Sequence, residues 1–190
     1  MARDYATLPA NEVRRKDRQK EDEWIKAYLE AAPYGALATV HDGQPFINSN
    51  LFVYDPAEHA IFTHTAHVGR TRANVEEGDG GVSACFSAFS MGRLLPADEA
   101  LEFSVEYEGV VAFGRLRMVI EEEPAKHGLQ LLLDKYAPHL RPGRDYREII
   151  PEELKRTAVF RLDIESWSGK KKEAEADFPG AFIYPIDLES

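Results

Sequence analysis

Between Ile61 and Asn74 the chain gathers Thr63, His64, Thr65, His67, Arg70, Thr71 and Arg72, so hydroxyls, imidazoles and guanidiniums crowd into one short stretch. Ile61 to Gly69 reads as a strand running into a tight polar loop, and Arg70 to Asn74 as the start of a short basic helix. A helix start leaves N–H groups unpaired and turns the positive end of its dipole outward, which attracts anions. Arginine adds paired donors whose spacing matches two phosphate oxygens. The segment therefore has the chemistry of a phosphate cradle, in a chain of formal net charge -10. A plainer arrangement fits the same residues: Arg70 and Arg72 on a solvated helix face, Thr63 and Thr65 as ordinary strand residues, His64 as a satisfied core histidine.

Asn48-Ser49-Asn50 interrupts an apolar run between Phe46-Ile47 and Leu51-Phe52-Val53. Alternate strand residues face one side, and buried amides need partners, which favours a ligand over a bare strand edge. Trp167 offers either an aromatic wall or a core tryptophan, and Lys170-Lys171-Lys172 reads first as a solvated run. Cys85 is the only cysteine; set in Val82-Ser83-Ala84-Cys85-Phe86, it reads as a packed structural thiol, and no intrachain disulfide can form. His64 and His67 are spaced to share a metal only on a helix, which a strand leading into a loop is not, so no metal site is assigned. No Ser-His-Asp order, P-loop, zinc-finger spacing or dinucleotide-binding glycine fingerprint is present.

These residues need a frame. A chain of 190 residues suits one domain. Its acidity is spread along the length and argues against a nucleic-acid partner. No window approaches the roughly 20 apolar residues of a membrane span. The polar start and the lone thiol point to the cytoplasm. Residues 1–20 read as a charged arm, mobile or laid on a partner subunit, 21–175 as the domain and 176–190 as a tail. Asp22 is the expected N-cap of a helix that carries Trp24, Ile25, Tyr28 and Leu29 and ends at Pro33 and Gly35.

Strands are expected over 35–40, 45–54, 60–64, 82–89, 102–119 and 157–164. An Asp42-Gly43 turn joins the first two, a glycine-rich turn spans 76–81, and Gly109 and Gly114 mark bulges or bends. Helical patterns over 124–133 and 151–155 belong to a helical excursion, 124–156, before the last strand. The fold class is therefore mainly β: a split β-barrel, antiparallel and Greek-key in type, with a helical insertion before the last strand. A barrel of this size fills its own interior, so a large ligand would lie outside it, where two subunits meet.

With the strand order and the cradle in place, the chain resembles the pyridoxamine 5'-phosphate oxidase-like family of FMN-binding split barrels, and within it the nitroimidazole-reductase-like branch, from about Trp24 to Lys172. Ile61-Phe62-Thr63-His64-Thr65-Ala66 followed by Gly69-Arg70 resembles the family's strand, loop and helix that hold the FMN phosphate. Val105-Glu106-Tyr107-Glu108-Gly109-Val110-Val111 is similar to its long strand after that loop. Ile164-Glu165-Ser166-Trp167-Ser168-Gly169-Lys170 resembles its carboxy-terminal Trp-x-Gly element, which approaches the flavin from the neighbouring subunit.

The resemblance implies FMN as cofactor. Thr63, His67, Arg70, Thr71 and Arg72 would serve the phosphate, Asn48, Ser49 and Asn50 the ring edge, Trp167 an aromatic wall, and Lys170 the phosphate or ring carbonyls. His64 is the candidate catalytic group. Three departures matter. Asn48-Ser49-Asn50-Leu51-Phe52 stands where the true oxidase has a strand bearing Arg and Lys, Thr71 stands where the family usually has Lys, and Lys170-Lys171-Lys172-Glu173-Ala174 replaces the basic element that grips the substrate phosphate. Pyridoxamine phosphate is therefore not the expected substrate. The expected activity is an FMN-dependent oxidoreductase acting on a small molecule, with electrons from NAD(P)H, as a homodimer. The alternatives are a non-enzymatic binder of flavin, deazaflavin or haem, and a true pyridoxamine 5'-phosphate oxidase.

Overall fold

A computed structural model describes residues 4, 6–76 and 80–184. In sequence order the elements are β1 (Gln19–Lys20), α1 (Asp22–Ala31), β2 (Gly35–His41), β3 (Gln44–Asn50), β4 (Val53–Asp55), β5 (Ala60–Ala66), α2 (Arg70–Glu76), β6 (Val82–Leu95), β7 (Ser104–Val119), α3 (Glu122–Tyr136), α4 (Pro151–Leu154) and β8 (Thr157–Lys172). All pairings between these strands are antiparallel. The hydrogen-bonded order is β3-β2-β6-β7-β8-β5-β4, with β1 added to the far end of β8.

The two ends of that path, β3 and β4, are separated in sequence only by Leu51 and Phe52. A backbone that steps from one end of a sheet to the other in two residues forces the sheet to curl until its ends meet. They meet without a ladder between them, which makes the barrel split rather than closed.

The break at Leu51-Phe52 corrects the expectation of one strand over 45–54, and its cause is local. Side chains satisfy the backbone there in place of a neighbouring strand. Asn50 Oδ1 accepts from Leu51 N–H at 2.8 Å, Thr63 Oγ1 donates to Leu51 C=O at 2.9 Å, and the Tyr136 hydroxyl meets Phe52 N–H at 3.1 Å and Phe52 C=O at 2.9 Å. The β2–β3 hairpin closes through Asp42 (φ 48°) and Gly43 (φ 73°), with His41 opposite Gln44, the left-handed pair that an Asp-Gly turn provides.

Strand lengths exceed the apolar runs that announced them. β6 continues to Leu95 and β8 to Lys172, so the Trp167 segment is the distal half of the last strand. Gly114 sits at a register shift between β7 and β8, where a Cβ would stand 1.9 Å from Asp163 C=O. Gly109, by contrast, pairs in continuous register with Phe89 and Lys170, so no bulge forms there. A second shift lies between Met91 and Leu94. Residues 77–79 of the expected glycine-rich turn lie outside the described residues.

Ile25, Leu29, Leu37, Phe52, Phe86 and Leu162 belong to the cluster that fills the barrel. A second cluster, including Phe62, Ala125, Leu132 and Val159, lies under α3. Gly128 lets α3 approach, since a Cβ there would stand 2.6 Å from the Phe62 ring. Glu21, not Asp22, is the N-cap of α1, and its side chain makes no cap bond. Of the amino-terminal arm, Val13 is buried and Asn11 Nδ2 donates to Trp167 C=O at 3.2 Å. No helix among the described residues is long and apolar enough to cross a membrane.

Candidate functional site

The split of the barrel is where the polar residues of β3, β5 and α2 converge. β3 is an edge strand in which Asn48 and Asn50 are half-buried and Ser49 is exposed. The alternation thus turns the two amides one way and the serine the other. Asn50 Nδ2 donates to the backbone carbonyl of His64. Asn48 Nδ2 lies 3.4 Å from Thr71 Oγ1 in the first turn of α2. Two amides of one strand thus span the split, one to β5 and one to α2.

Thr63 and His64 diverge. Thr63 is buried and spends its hydroxyl on Leu51, so it braces the strand break. His64 points the other way along β5, on the face shared with Phe62. Its Nδ1 is sealed from solvent without a hydrogen-bond partner, and burial pushes its pKa below the usual 6.5. The group is therefore neutral near pH 7.

The arginines of α2 also part company. Arg72 donates to His67 C=O at 2.6 Å and contacts His67 Nδ1, a local clasp around the loop. Arg70 is exposed, makes no hydrogen bond or ion pair among the described residues, and faces the β2–β3 hairpin across a cleft of about 510 Å³. Thr71 is buried, as is Asn74, whose Nδ2 donates to Thr39 Oγ1 at 2.8 Å and whose Oδ1 has no partner among the described residues. Asn74 was not singled out by sequence. Its spacing of four from Arg70 in a helical pattern is the signal that places both on one face.

Trp167 and Lys170 are elsewhere in this protomer. Ala158 of β8 pairs with Thr65 beside the cradle, and the run from there to Trp167 covers about 30 Å of strand. Trp167 packs against its own protomer. Its indole is 4.6 Å from the His59 ring and 5.8 Å from that of Tyr54, and Nε1 donates to Asp22 Oδ1 at 2.8 Å. Lys170 is exposed and borders a depression of about 390 Å³ with Phe89, Tyr107 and Val111 on the β6–β7–β8 face.

Among the described residues the one group with metal-ligand spacing is Asp55, Glu58 and His127. His64 and His67 are not part of it. His127 donates to Asp55 at 2.9 Å and Arg161 pairs with Glu58, so these contacts tie α3 and β8 to the β4–β5 turn. Cys85 is half-buried and free, with its thiol pKa raised by burial, as befits a packed thiol.

A family model described as pyridoxamine 5'-phosphate oxidase matches residues 21–171. Comparison with curated proteins finds no match. Among solved structures, the flavocytochrome Anf3 from Azotobacter vinelandii aligns with TM-score 0.72 at 23% identity, covering 86% of this chain and 74% of that one. An FAD and heme binding protein from Mycobacterium smegmatis aligns with TM-score 0.71 at 24% identity over 83% and 74%. A putative 5-nitroimidazole antibiotic resistance protein from Bacteroides thetaiotaomicron aligns with TM-score 0.63 at 14% identity over 81% and 89%. At these identities the likeness establishes the split-barrel fold.

Proposed function

The chain belongs to the pyridoxamine 5'-phosphate oxidase family, and on that premise we propose that it binds FMN at the split of the barrel and works as a cytoplasmic, flavin-dependent oxidoreductase on a small molecule. One observation carries the reading: Asn48 and Asn50 reach across the split to Thr71 and His64, and Arg70, next to Thr71 in the first turn of α2, has no partner among the described residues. The residues fit a flavin nucleotide. Buried Asn74 Oδ1 lacks a partner among the described residues, and buried polar atoms are rarely left so without a ligand or water. Arg70 and Arg72 carry the charge a phosphate needs, and Thr71 brings a hydroxyl. The amides of Asn48 and Asn50 offer donors and acceptors to a ring edge.

A bound flavin supplies electron transfer; the protein supplies position and electrostatics. His64 stays neutral near pH 7 because burial opposes its charge, so it offers a ring nitrogen rather than a cation. Phe89, 59% exposed, and Met91, 46% exposed, leave an apolar patch on the β6–β7–β8 face. In this reading a second copy covers the patch to form a homodimer.

The test is to incubate the purified protein with FMN or FAD, desalt it, record its absorbance and identify the retained flavin by chromatography. Retained FMN, reducible by NAD(P)H and reoxidised by an added acceptor, supports the reading. Retention of FAD alone overturns the mononucleotide, and a colourless protein overturns flavin binding altogether.

A further inference from the structure

A groove of about 540 Å³ runs between α3 and the β5–β8 pair, within the roughly 300–1,000 Å³ of pockets that hold small organic ligands. Leu129, Leu132 and Leu133 of α3 turn their side chains into it, and Leu51, Tyr136 and Ile149 complete an apolar wall. Leu129, Leu132 and Leu133 recur at the spacing of an apolar helix face, yet the structure leaves part of that face open.

His64, Glu153, Arg156 and Thr157 interrupt the wall, and two of them matter for binding. One is the His64 imidazole, which makes no hydrogen bond among the described residues. The other is Arg156 at the rim, exposed and without an ion pair among the described residues. Its neighbour Glu153 does not neutralise it. That carboxylate is already taken by Arg147 at 2.9 Å and by Ile150 N–H at 3.0 Å. In a chain of net charge -10, an unpaired cation at the mouth of an apolar groove is a local reversal of sign.

The groove is also continuous with the cradle. The C=O of His64 is held by Asn50, while its side chain lines the groove. The C=O of Arg156 accepts from His67 N–H at 3.1 Å. An occupant of the groove therefore touches His64, whose backbone carbonyl Asn50 holds at the split.

We propose that this groove binds an apolar organic anion, its hydrocarbon body against Leu129, Leu133 and Tyr136 and its carboxylate or sulfonate on Arg156. The charge complementarity names the ligand class: apolar walls select a hydrocarbon or aromatic body, and a guanidinium at the rim selects an anionic end over a neutral or cationic one. The inference goes beyond the flavin reading: its apolar wall and its cation are different side chains, and His64 alone is shared between the two sites.

The probes are anilinonaphthalene sulfonate, an apolar anion, and phenylnaphthylamine, its neutral counterpart, titrated by fluorescence into the full-length protein. Both bind saturably at one site. Arg156→Gln, an exposed change that leaves the fold intact, weakens the anion by about fivefold and leaves the neutral probe unaltered. Leu133→Glu abolishes both, with circular dichroism checking that it folds. An Arg156→Gln protein that binds the anion as well as the parent, or binding that does not saturate, overturns the proposal. So does displacement of the probe by FMN or FAD, which would make the groove part of the flavin site. Haem that expels the probe and gives a Soret band lost in His64→Gln but kept in Arg156→Gln overturns it in favour of a tetrapyrrole held by His64. Flavin retention after desalting, measured on the same samples, reports on the cradle separately, so either idea can fail alone.

Discussion

Trp167 donates its indole N–H to the Asp22 carboxylate at 2.8 Å, which fastens the distal half of β8 to the first turn of α1 in the same protomer. From sequence Asp22 reads as a cap, and Trp167 as a core tryptophan or as the flavin wall the resemblance implies. Within one protomer the two are partners across a seam that also contains Tyr54 and His59. A hydrogen bond to a charged group contributes about 1.5–3 kcal/mol and a neutral one about half that. Asp22→Asn is therefore expected to cost about 1 kcal/mol in urea unfolding, and Trp167→Ala about 2–3 kcal/mol because packing is lost as well. If Asp22→Asn leaves stability untouched while Trp167→Phe sheds flavin, the indole serves a ligand and the seam is incidental.

At the split of the barrel the side chains divide the work, and the division is measurable. Arg70 has no structural partner among the described residues, so Arg70→Ala is expected to leave the melting temperature within about 1 °C of the parent. The same change should weaken FMN retention at least tenfold, the loss expected of a charged hydrogen-bonding partner to phosphate. Thr71 is buried against Asn48, so Thr71→Val should lower both flavin affinity and stability. Equal losses of stability in the two variants would show that Arg70 is structural after all.

Local rules made part of this legible. Asp42-Gly43 had to turn, because few residues accept its left-handed pair of φ values. Asn48-Ser49-Asn50 stood out because polar residues replace apolar ones where a strand should bury them, and Asn48 and Asn50 span the split of the barrel. What sequence did not carry were decisions made by distant groups. Nothing near Phe52 announces that the Tyr136 hydroxyl, far along the sequence, will take over its backbone and end the strand. Nor does the repeat of leucines in α3 show that part of its apolar face will stay open beside His64. β8 outran its apolar run because its far half pairs with β7 and β1 through backbone bonds, to which the side chains of Lys170 and Lys172 are indifferent.

Lys135 lies over the Phe52 ring at 3.9 Å and donates to Leu29 C=O at 3.1 Å, and burial lowers its pKa from 10.5 to about 8. The unfolded state therefore holds this proton between pH 8 and 10.5 while the folded state has begun to release it. Stability attributable to this group rises with pH across that window, and the penalty for burying the charge is fully present below it. Lys135→Met should be more stable than the parent at neutral pH, with the advantage shrinking towards pH 10.5. Urea unfolding at both ends of the window checks this. A variant less stable at neutral pH would mean that the carbonyl bond and the cation–π contact outweigh desolvation.

Gly128 brings α3 onto Phe62, and an added Cβ would stand 2.6 Å from Cδ1 of that ring. Alanine improves helix propensity by about 1 kcal/mol, but overpacking a formed core costs about 1–3 kcal/mol. Phe62 is 1% exposed and has little room to yield, so packing wins. Gly128→Ala should destabilise by about 1 kcal/mol net, read by chemical denaturation. A stabilised variant would show that α3 can lift, and the groove it borders should then change its volume and its ligand affinity together.

The Tyr136 hydroxyl links the helical insertion to the site. It meets Phe52 N–H at 3.1 Å and Phe52 C=O at 2.9 Å, and it donates to Pro33 C=O at 2.8 Å. Those contacts hold Phe52, the second of the two residues on which the backbone passes from β3 to β4, and that crossing brings Asn48 and Asn50 over Thr71 and His64. Tyr136→Phe keeps the ring and removes only the oxygen, leaving Phe52 backbone groups unsatisfied at a cost of about 1–3 kcal/mol. The expected result is a lower unfolding midpoint together with faster amide exchange confined to residues 50–53. Flavin retention should fall as well, although Tyr136 is given no contact with flavin in the proposed site. Loss of stability with flavin retention intact would mean that the crossing holds its shape through Thr63 and Asn50 alone, and that α3 stabilises the barrel without positioning the site.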